Sequence, residues 1–503
     1  MNGYVWKLYL ESGGYKTVDF FKNNIENDLS YGYVDGINNF QKIYCVSDDT
    51  LSNTRWFLEK CIEDLQEDNY ESENTEEYDE DNYEDVIDEI MNEIWRLLYD
   101  NHGTDQNSFK AFLGDYNPVE DIIYLTTLFS LYYPEYIIPY YFQCNFNVVQ
   151  IIADSFNIEL PPLPVKKDYK GRFFYYGELC KVFTKYRLDN GWSPYELFAF
   201  LYDFAPKYIG GIDSYIIRDL PEPKSAFFIG GGGNNADAVA EDDPDEICCW
   251  QCNPDTRAGD MIVMYLRTPI SAISSIWRSC SIGFNDPFFY YYRCTYVGHP
   301  VKVKRFGIND IKKNRILSKM PIVHKNMQGL NGVELKPSEY NHIVDKTKAK
   351  VTKLKYEEIS IDNQYENERA VEDKLIKPFL RNIGYEETDY KQGIHVPIGN
   401  HNNTLIPDFV IAHKTYGGKH FAFAVVEAKK SIRNEKELSD ALEQVRSYAL
   451  LLSAKYAVIA SQEGIWITDS KVGYMSFINE YTWNELSDND NMYQVKSIIG
   501  KNK

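Results

Sequence analysis

The stretch LIPDFVIAHKTYGGKHFAFAVVEAKK, Leu405 to Lys430, constrains the fold of this chain more than any other. HFAFAVVEA is almost continuously apolar, the pattern of a strand buried on both faces, and TLIPDFVIAH reads as a second strand joined to it through HKTYGGK. Three charges interrupt these runs. Asp408 begins one strand, Glu427 closes the next, and Lys429 follows two residues later on the same side of its strand. A hairpin brings the two carboxylates to one spot, where they repel unless a cation sits between them. A magnesium ion held there, with positions left for phosphate and water, is what phosphodiester hydrolysis requires.

The flanks complete a domain. ENERAVEDKLIKPFLRNIGY spaces Ala370, Val371, Leu375, Phe379 and Leu380 helically, and Gly384 ends that helix. GIHVPI is a further strand, ELSDALEQVRSYALLLSA a second helix, and KYAVIAS and GIWIT two last strands. The expected order is α-β-β-β-α-β-β. An isolated ExK in a strand reads as a cross-strand ion pair. That account leaves the acid after a proline and the Gln444 helix unexplained.

The set Pro407-Asp408, Glu427-Ala428-Lys429 and a following helix with Gln444 and Tyr448 in a QxxxY pattern resembles the PD-(D/E)xK nucleases, specifically the N-terminal nuclease domain of type I restriction enzyme R subunits. The resemblance implies that Asp408, Glu427 and the carbonyl of Ala428 ligate Mg2+ or Mn2+. It implies that Lys429 serves the attacking water, that Gln444 and Tyr448 support the site, and that Glu372 is the additional acid, with neighbouring Glu368 a second choice for that place. R subunits attach this domain to an ATP-driven motor. The glycine run after AFFIG lacks the lysine and hydroxyl residue of a phosphate-binding loop, so no ATP is expected.

Upstream, the chain divides by composition. Residues 1–220 read as a mostly helical module broken by Pro134, Pro139, Pro161, Pro162 and Pro164, and containing an acidic tract, 61–93, without a lysine or arginine. Residues 221–345 are β-rich, with GDMIVMYLRTP entered by the Gly259-Asp260 turn. WQCNPDTRAGDMIVMYLRTPISAISSIWRS followed by MPIVHKNMQGLNGVELKPSEYNHI resembles the EVE domain, a PUA-like fold related to the YTH readers. That resemblance implies a small β-barrel holding one nucleobase, often modified, between aromatic walls. Trp250 and Trp277 are the candidate walls, although a core tryptophan of a barrel looks the same in sequence. Lys302, Lys304 and Arg305 are candidate backbone contacts, in a region with 14 Lys and Arg against 4 Asp and Glu between Cys294 and Lys355. Residues 346–365 read as a basic linker, and 366–503 as the nuclease.

The net charge of −22 argues against nucleic acid only as an average over these opposed regions. The 9 cysteines show no framework spacing and suit reduced thiols. CCWQC contains one CxxC, Cys249 and Cys252, but no second pair at matching spacing follows, and Cys280 and Cys294 stand alone, so packed thiols are expected. No apolar run approaches a membrane span, and the N-terminus lacks a signal-peptide core, which suggests a cytoplasmic protein without a membrane partner.

The whole reads as multidomain α+β: a helical N-terminal module, a PUA-like β-barrel and an α/β restriction-endonuclease-like C-terminal domain. The expected function is Mg-dependent hydrolysis of DNA, with base-modified DNA the candidate substrate, in prokaryotic antiviral restriction. Alternatives are an RNA- or tRNA-directed nuclease and a non-catalytic nucleic-acid sensor. Double-strand cleavage would call for a homodimer, and the N-terminal module offers a surface for it or for a partner protein.

Overall fold

The structure is a computed structural model that describes residues 1–26, 82–99, 122, 126, 129–130, 133–142, 144–211, 215–232, 247–362, 364–397, 404–416, 419–470 and 477–501. The acidic tract up to residue 81, and the part of the glycine-rich stretch from residue 233 to 246, lie outside them. The chain packs as two units, one formed by Met1–Arg218 with Cys249–Pro254 and Ser281–Tyr296, the other by Asp219–Cys248, Asp255–Cys280 and Val297–Lys503.

The first unit is helical, as its periodicity predicts. Its main helices are α1 (Gly3–Tyr9), α2 (Tyr15–Glu26), α3 (Tyr83–Tyr99), α4 (Phe146–Phe156), α5 (Tyr169–Asn190) and α6 (Pro194–Ala199), the last continuing through a π-turn, Phe200–Phe204. The ends follow local chemistry. Asp168 caps α5 by accepting from the Gly171 N–H at 2.7 Å, Gly191 ends it at φ +65°, and Ser193 and Glu196 close a capping box on α6. The abundant tyrosines pack their rings into this core and point their hydroxyls at backbone: Tyr175 donates to the Pro161 carbonyl at 3.0 Å, and Tyr176 to that of Ile138. The described end of the acidic tract is part of α3, whose Ile87 and Met91 are buried in this core. The inserted segment Ser281–Tyr296 docks here because the buried Arg172 donates to the carbonyls of Pro287 (2.7 Å) and Phe289 (2.5 Å), while Phe288 enters the core.

The middle strands are β1 (Ala226–Gly231), β2 (Cys248–Gln251), β3 (Met261–Leu266), β4 (Ala272–Ser279), β5 (Phe284–Asn285), β6 (Arg293–Gly307) and β7 (Val333–Leu335). In the second unit they run β7-β1-β3-β4-β6, with β1 and β3 parallel and the other pairs antiparallel. Register shifts between β4 and β6 mark bulges that bend the pair. The first residues of β6, to Tyr296, belong to the first unit with β2 and β5. This is a mixed, open arrangement that packs against α7 (Pro337–Thr347). The basic stretch after α7 is irregular yet tied at both ends. Asn341 exchanges hydrogen bonds with Leu354, and Asn382 with Glu357, each at 2.8–2.9 Å, and Leu354 and Ile359 are buried.

The C-terminal region, in the same unit, begins with α8 (Glu368–Val371), a π-turn (Glu372–Ile376) and α9 (Lys377–Asn382). One six-stranded sheet follows: β8 (Tyr390–Lys391), β9 (Phe409–Ile411), β10 (Ala424–Ala428), β11 (Tyr456–Ala460), β12 (Gly464–Asp469) and β13 (Asn479–Thr482), ordered β13-β12-β11-β10-β9-β8. Only β10 and β11 are parallel, because α10 (Glu435–Leu451) crosses between them. Alternation along β10 explains its continuous apolarity. Ala424, Val426 and Ala428 pack with Val371, Leu375 and Phe379, whereas Val425 faces Ala441, Val445 and Ala449 of α10. The expected strand GIHVPI is reduced to Val396–Pro397, paired with Thr404–Leu405 outside this sheet, and the HKTYGGK link carries its own short ribbon, Lys414–Tyr416 with Lys419–Phe421. A last helix, α11 (Asn489–Ile499), closes the core.

Candidate active site

The β9–β10 register pairs Phe409 with Val426, Val410 with Val425 and Ile411 with Ala424. Carried one residue further, it sets Asp408 opposite Glu427, as the hairpin reading expects. The Ala428 N–H donates to Asp408 Oδ2 at 2.7 Å, which fixes the carboxylate against the strand end. Glu427 is only 3% exposed, on the sheet face of Val425. Lys429 Nζ donates to Glu427 Oε1 at 2.7 Å, and the Lys429 N–H donates to the Ala460 carbonyl at 2.8 Å. Glu427 Oε2 is buried and meets no donor.

The electrostatics follow from burial and crowding. Burial, then the Asp408 charge, push the Glu427 carboxyl up to about 7. Burial also raises Asp408, against the Ala428 hydrogen bond and Lys429. For Lys429, burial alone would lower the ammonium, but the Glu427 hydrogen bond and charge outweigh it and the net shift is upward. Two crowded carboxyls, one with an orphaned buried oxygen, suit a hard divalent cation, whose oxygen ligands are carboxylates, carbonyls and water. Among the described residues, no three His, Cys, Asp or Glu side chains are grouped as a complete metal site. The donor set here is the carboxylate pair, with backbone and water needed to fill the shell.

The acids of the preceding helix divide their roles. Glu372 begins the π-turn; Gln392 Nε2 donates to its Oε2 at 2.8 Å, and burial followed by the Asp408 charge raises its carboxyl. Glu368, one turn earlier, acts electrostatically on Asp408, Glu427 and Lys429 alike. It is the acid that the sequence placed second, and its i,i+4 spacing to Glu372 was the available signal. Gln444 and Tyr448 sit on α10 over the Glu427 face, where Tyr448 is buried and accepts from Gln444 Nε2 at 2.8 Å; their hydrogen bond is to each other. Sequence reasoning missed Glu463, in the β11–β12 turn. It accepts from Ser431 Oγ (2.6 Å), the Ile432 N–H (2.8 Å) and Ser461 Oγ (2.6 Å), and so pins the loop that follows Lys429.

The candidate nucleic-acid residues are divided between the two units. Trp250 is half-buried on β2 in the first unit, and Trp277 is buried on β4 in the second. Trp277 Nε1 donates to Ser275 Oγ at 2.8 Å, and the residue borders a groove of about 520 Å3 with Arg278, His299, Val301 and Lys350. Lys302, Lys304 and Arg305 are exposed on β6, with Val303 turned inward between them. Asp260, in the expected turn, is a backbone organiser: it accepts from the N–H groups of Ser225 (2.9 Å) and Arg257 (2.8 Å). No helix of the described residues is long and apolar enough to cross a membrane. No family model, curated protein or solved structure matches the chain.

Proposed function

We propose that the C-terminal region is a metal-dependent endonuclease acting on DNA, and that the β-rich middle selects base-modified substrate for a restriction function. The observation that carries the nuclease reading is the pairing of Asp408 with Glu427 across β9 and β10, with Lys429 on one Glu427 oxygen and no donor on the other. Asp408, Glu427 and the Ala428 carbonyl would hold Mg2+ or Mn2+, which when bound polarises a phosphodiester and acidifies water. Lys429 orients the attacking water and offsets charge gathering on the phosphorus oxygens. Glu368 and Glu372 add negative charge at the same edge, and Glu463 holds the loop that presents Lys429. In the middle, support for nucleic-acid selection comes from the groove lined by Arg278, His299 and Lys350, which offers cationic and hydrogen-bonding groups, whereas Trp277 is 1% exposed and packs as a core residue behind it.

The test incubates purified full-length protein with Mg2+ or Mn2+ and three substrates: a base-modified duplex, the same duplex unmodified, and a structured RNA. Cutting of the modified duplex is expected, falling at least about 100-fold in Asp408→Ala and Lys429→Ala. Cleavage of RNA alone would reassign the substrate. If none is cut with either metal, the enzymatic reading fails and binding without hydrolysis takes its place.

A further inference from the structure

Spacing alone leaves Cys249 and Cys252 as half of a site, but the first unit supplies the other half from distant parts of the chain. The Cys252 N–H donates to the Arg293 carbonyl at 3.1 Å, which sets Cys252 beside the Cys294 end of β6. The Cys249 thiol is hydrogen bonded with those of Cys144 and Cys294. Cys144 is held there through its backbone: Tyr296 donates to its carbonyl at 3.0 Å, and its N–H donates to Asp286. Three segments thus converge on four cysteines, all free of disulfides. Cys252 and Cys294 are 3% and 0% exposed.

A second observation marks the cluster as polar inside a buried setting. Asp286 is fully buried and its charge acts on both Cys249 and Cys294, yet its Oδ2 meets no donor. Burial pushes this carboxyl up to about 7 against backbone hydrogen bonds from Phe288, Phe146 and Cys144, so it lies in the cluster as a buried polar group able to donate to a ligated sulfur.

We propose that Cys144, Cys249, Cys252 and Cys294 bind a thiophilic divalent cation, zinc, which fastens the segments Cys249–Pro254 and Ser281–Tyr296 to the helical part of the same unit. Four cysteine sulfurs are the ligand set of structural zinc, at about 2.3 Å from the metal. Among the described residues no three such side chains are grouped as a finished metal site, so ligation would draw the four sulfurs closer around one point. Each ligating thiol gives its proton to solvent as the metal binds. Four thiolates around a divalent cation leave a charge of −2, of which the buried Arg172, facing Asp286, offsets a part.

The experiment uses the full chain purified without chelator, with zinc measured by elemental analysis and cobalt(II) as the optical probe. Stoichiometric zinc and a cobalt–thiolate charge-transfer band are expected. Both should disappear in Cys249→Ser and Cys252→Ser and persist in Cys280→Ser, a buried cysteine outside the cluster. Circular dichroism separates lost ligation from lost folding. Should a cysteine variant unfold, chelation of the wild-type chain provides the check, and a fall in melting temperature reversed by added zinc is expected. A wild-type chain without zinc or cobalt band, a band unchanged in folded Cys249→Ser, or a Cys249 disulfide by mass spectrometry would overturn the proposal.

Discussion

Two residues show how narrow the tolerances are. Gly259 has φ +90°, and a Cβ there would stand 2.4 Å from the Pro221 carbonyl oxygen. Gly259→Ala therefore combines left-handed strain with a backbone clash and is expected to cost about 2–3 kcal/mol, read as a lower midpoint in urea unfolding. Asp408 makes the opposite case. Its charge raises Glu427, and both carboxyls are held above their ordinary values by burial. Asp408→Asn keeps an acceptor for the Ala428 N–H while removing one of two repelling charges. It should leave the metal-free protein at least as stable as the wild type at neutral pH by thermal unfolding, even as it removes cleavage. A clear loss of stability would show that Asp408 is a structural anchor first.

At the scale of elements, the loop between β10 and α10 matters most, because it must hold Lys429 in place. Burial raises the Glu463 carboxyl, but hydrogen bonds from Ser431, Ser461, Ile432 and Gln462 outweigh it and hold the group below its ordinary value. A depressed folded-state pKa stabilises the fold above the unfolded value, near pH 4.5, and that contribution is lost as pH falls through the lower folded value. Glu463→Gln should therefore lower the melting temperature at pH 7 and converge with wild type in acid. A constant gap across pH would place the effect in packing. This clamp was invisible in the sequence, since SQEG reads only as a turn. The paired acids were legible because a charge inside an apolar strand has few explanations, and their register followed from the two-residue alternation. The cysteine cluster was illegible for the opposite reason. Cys144 and Cys294 are distant in sequence, and only tertiary packing brings them to the CxxC. The short edge strands were over-read for lack of any signal for where pairing stops.

For the whole molecule, the distribution of charge matters more than its sum. Residues 63–81 contain 11 Asp and Glu with no Lys or Arg, whereas the stretch from Cys294 to Lys355 is strongly basic. If the basic stretch binds phosphate, an acidic segment on the same chain would compete for it, since both offer closely spaced negative charge. The boundary of a deletion follows from the fold: α3 begins at Tyr83 and buries Ile87 and Met91, so the cut must stop before it. Removing residues 63–81 is expected to tighten duplex binding several-fold in about 50 mM salt, with the difference shrinking as salt rises and screening shortens the reach of both charges. Fluorescence anisotropy of a labelled duplex across a salt series measures this directly. Equal affinity at low salt would detach the acidic tract from nucleic-acid binding, because removing a competitor for the basic stretch must raise the affinity of a duplex that uses it.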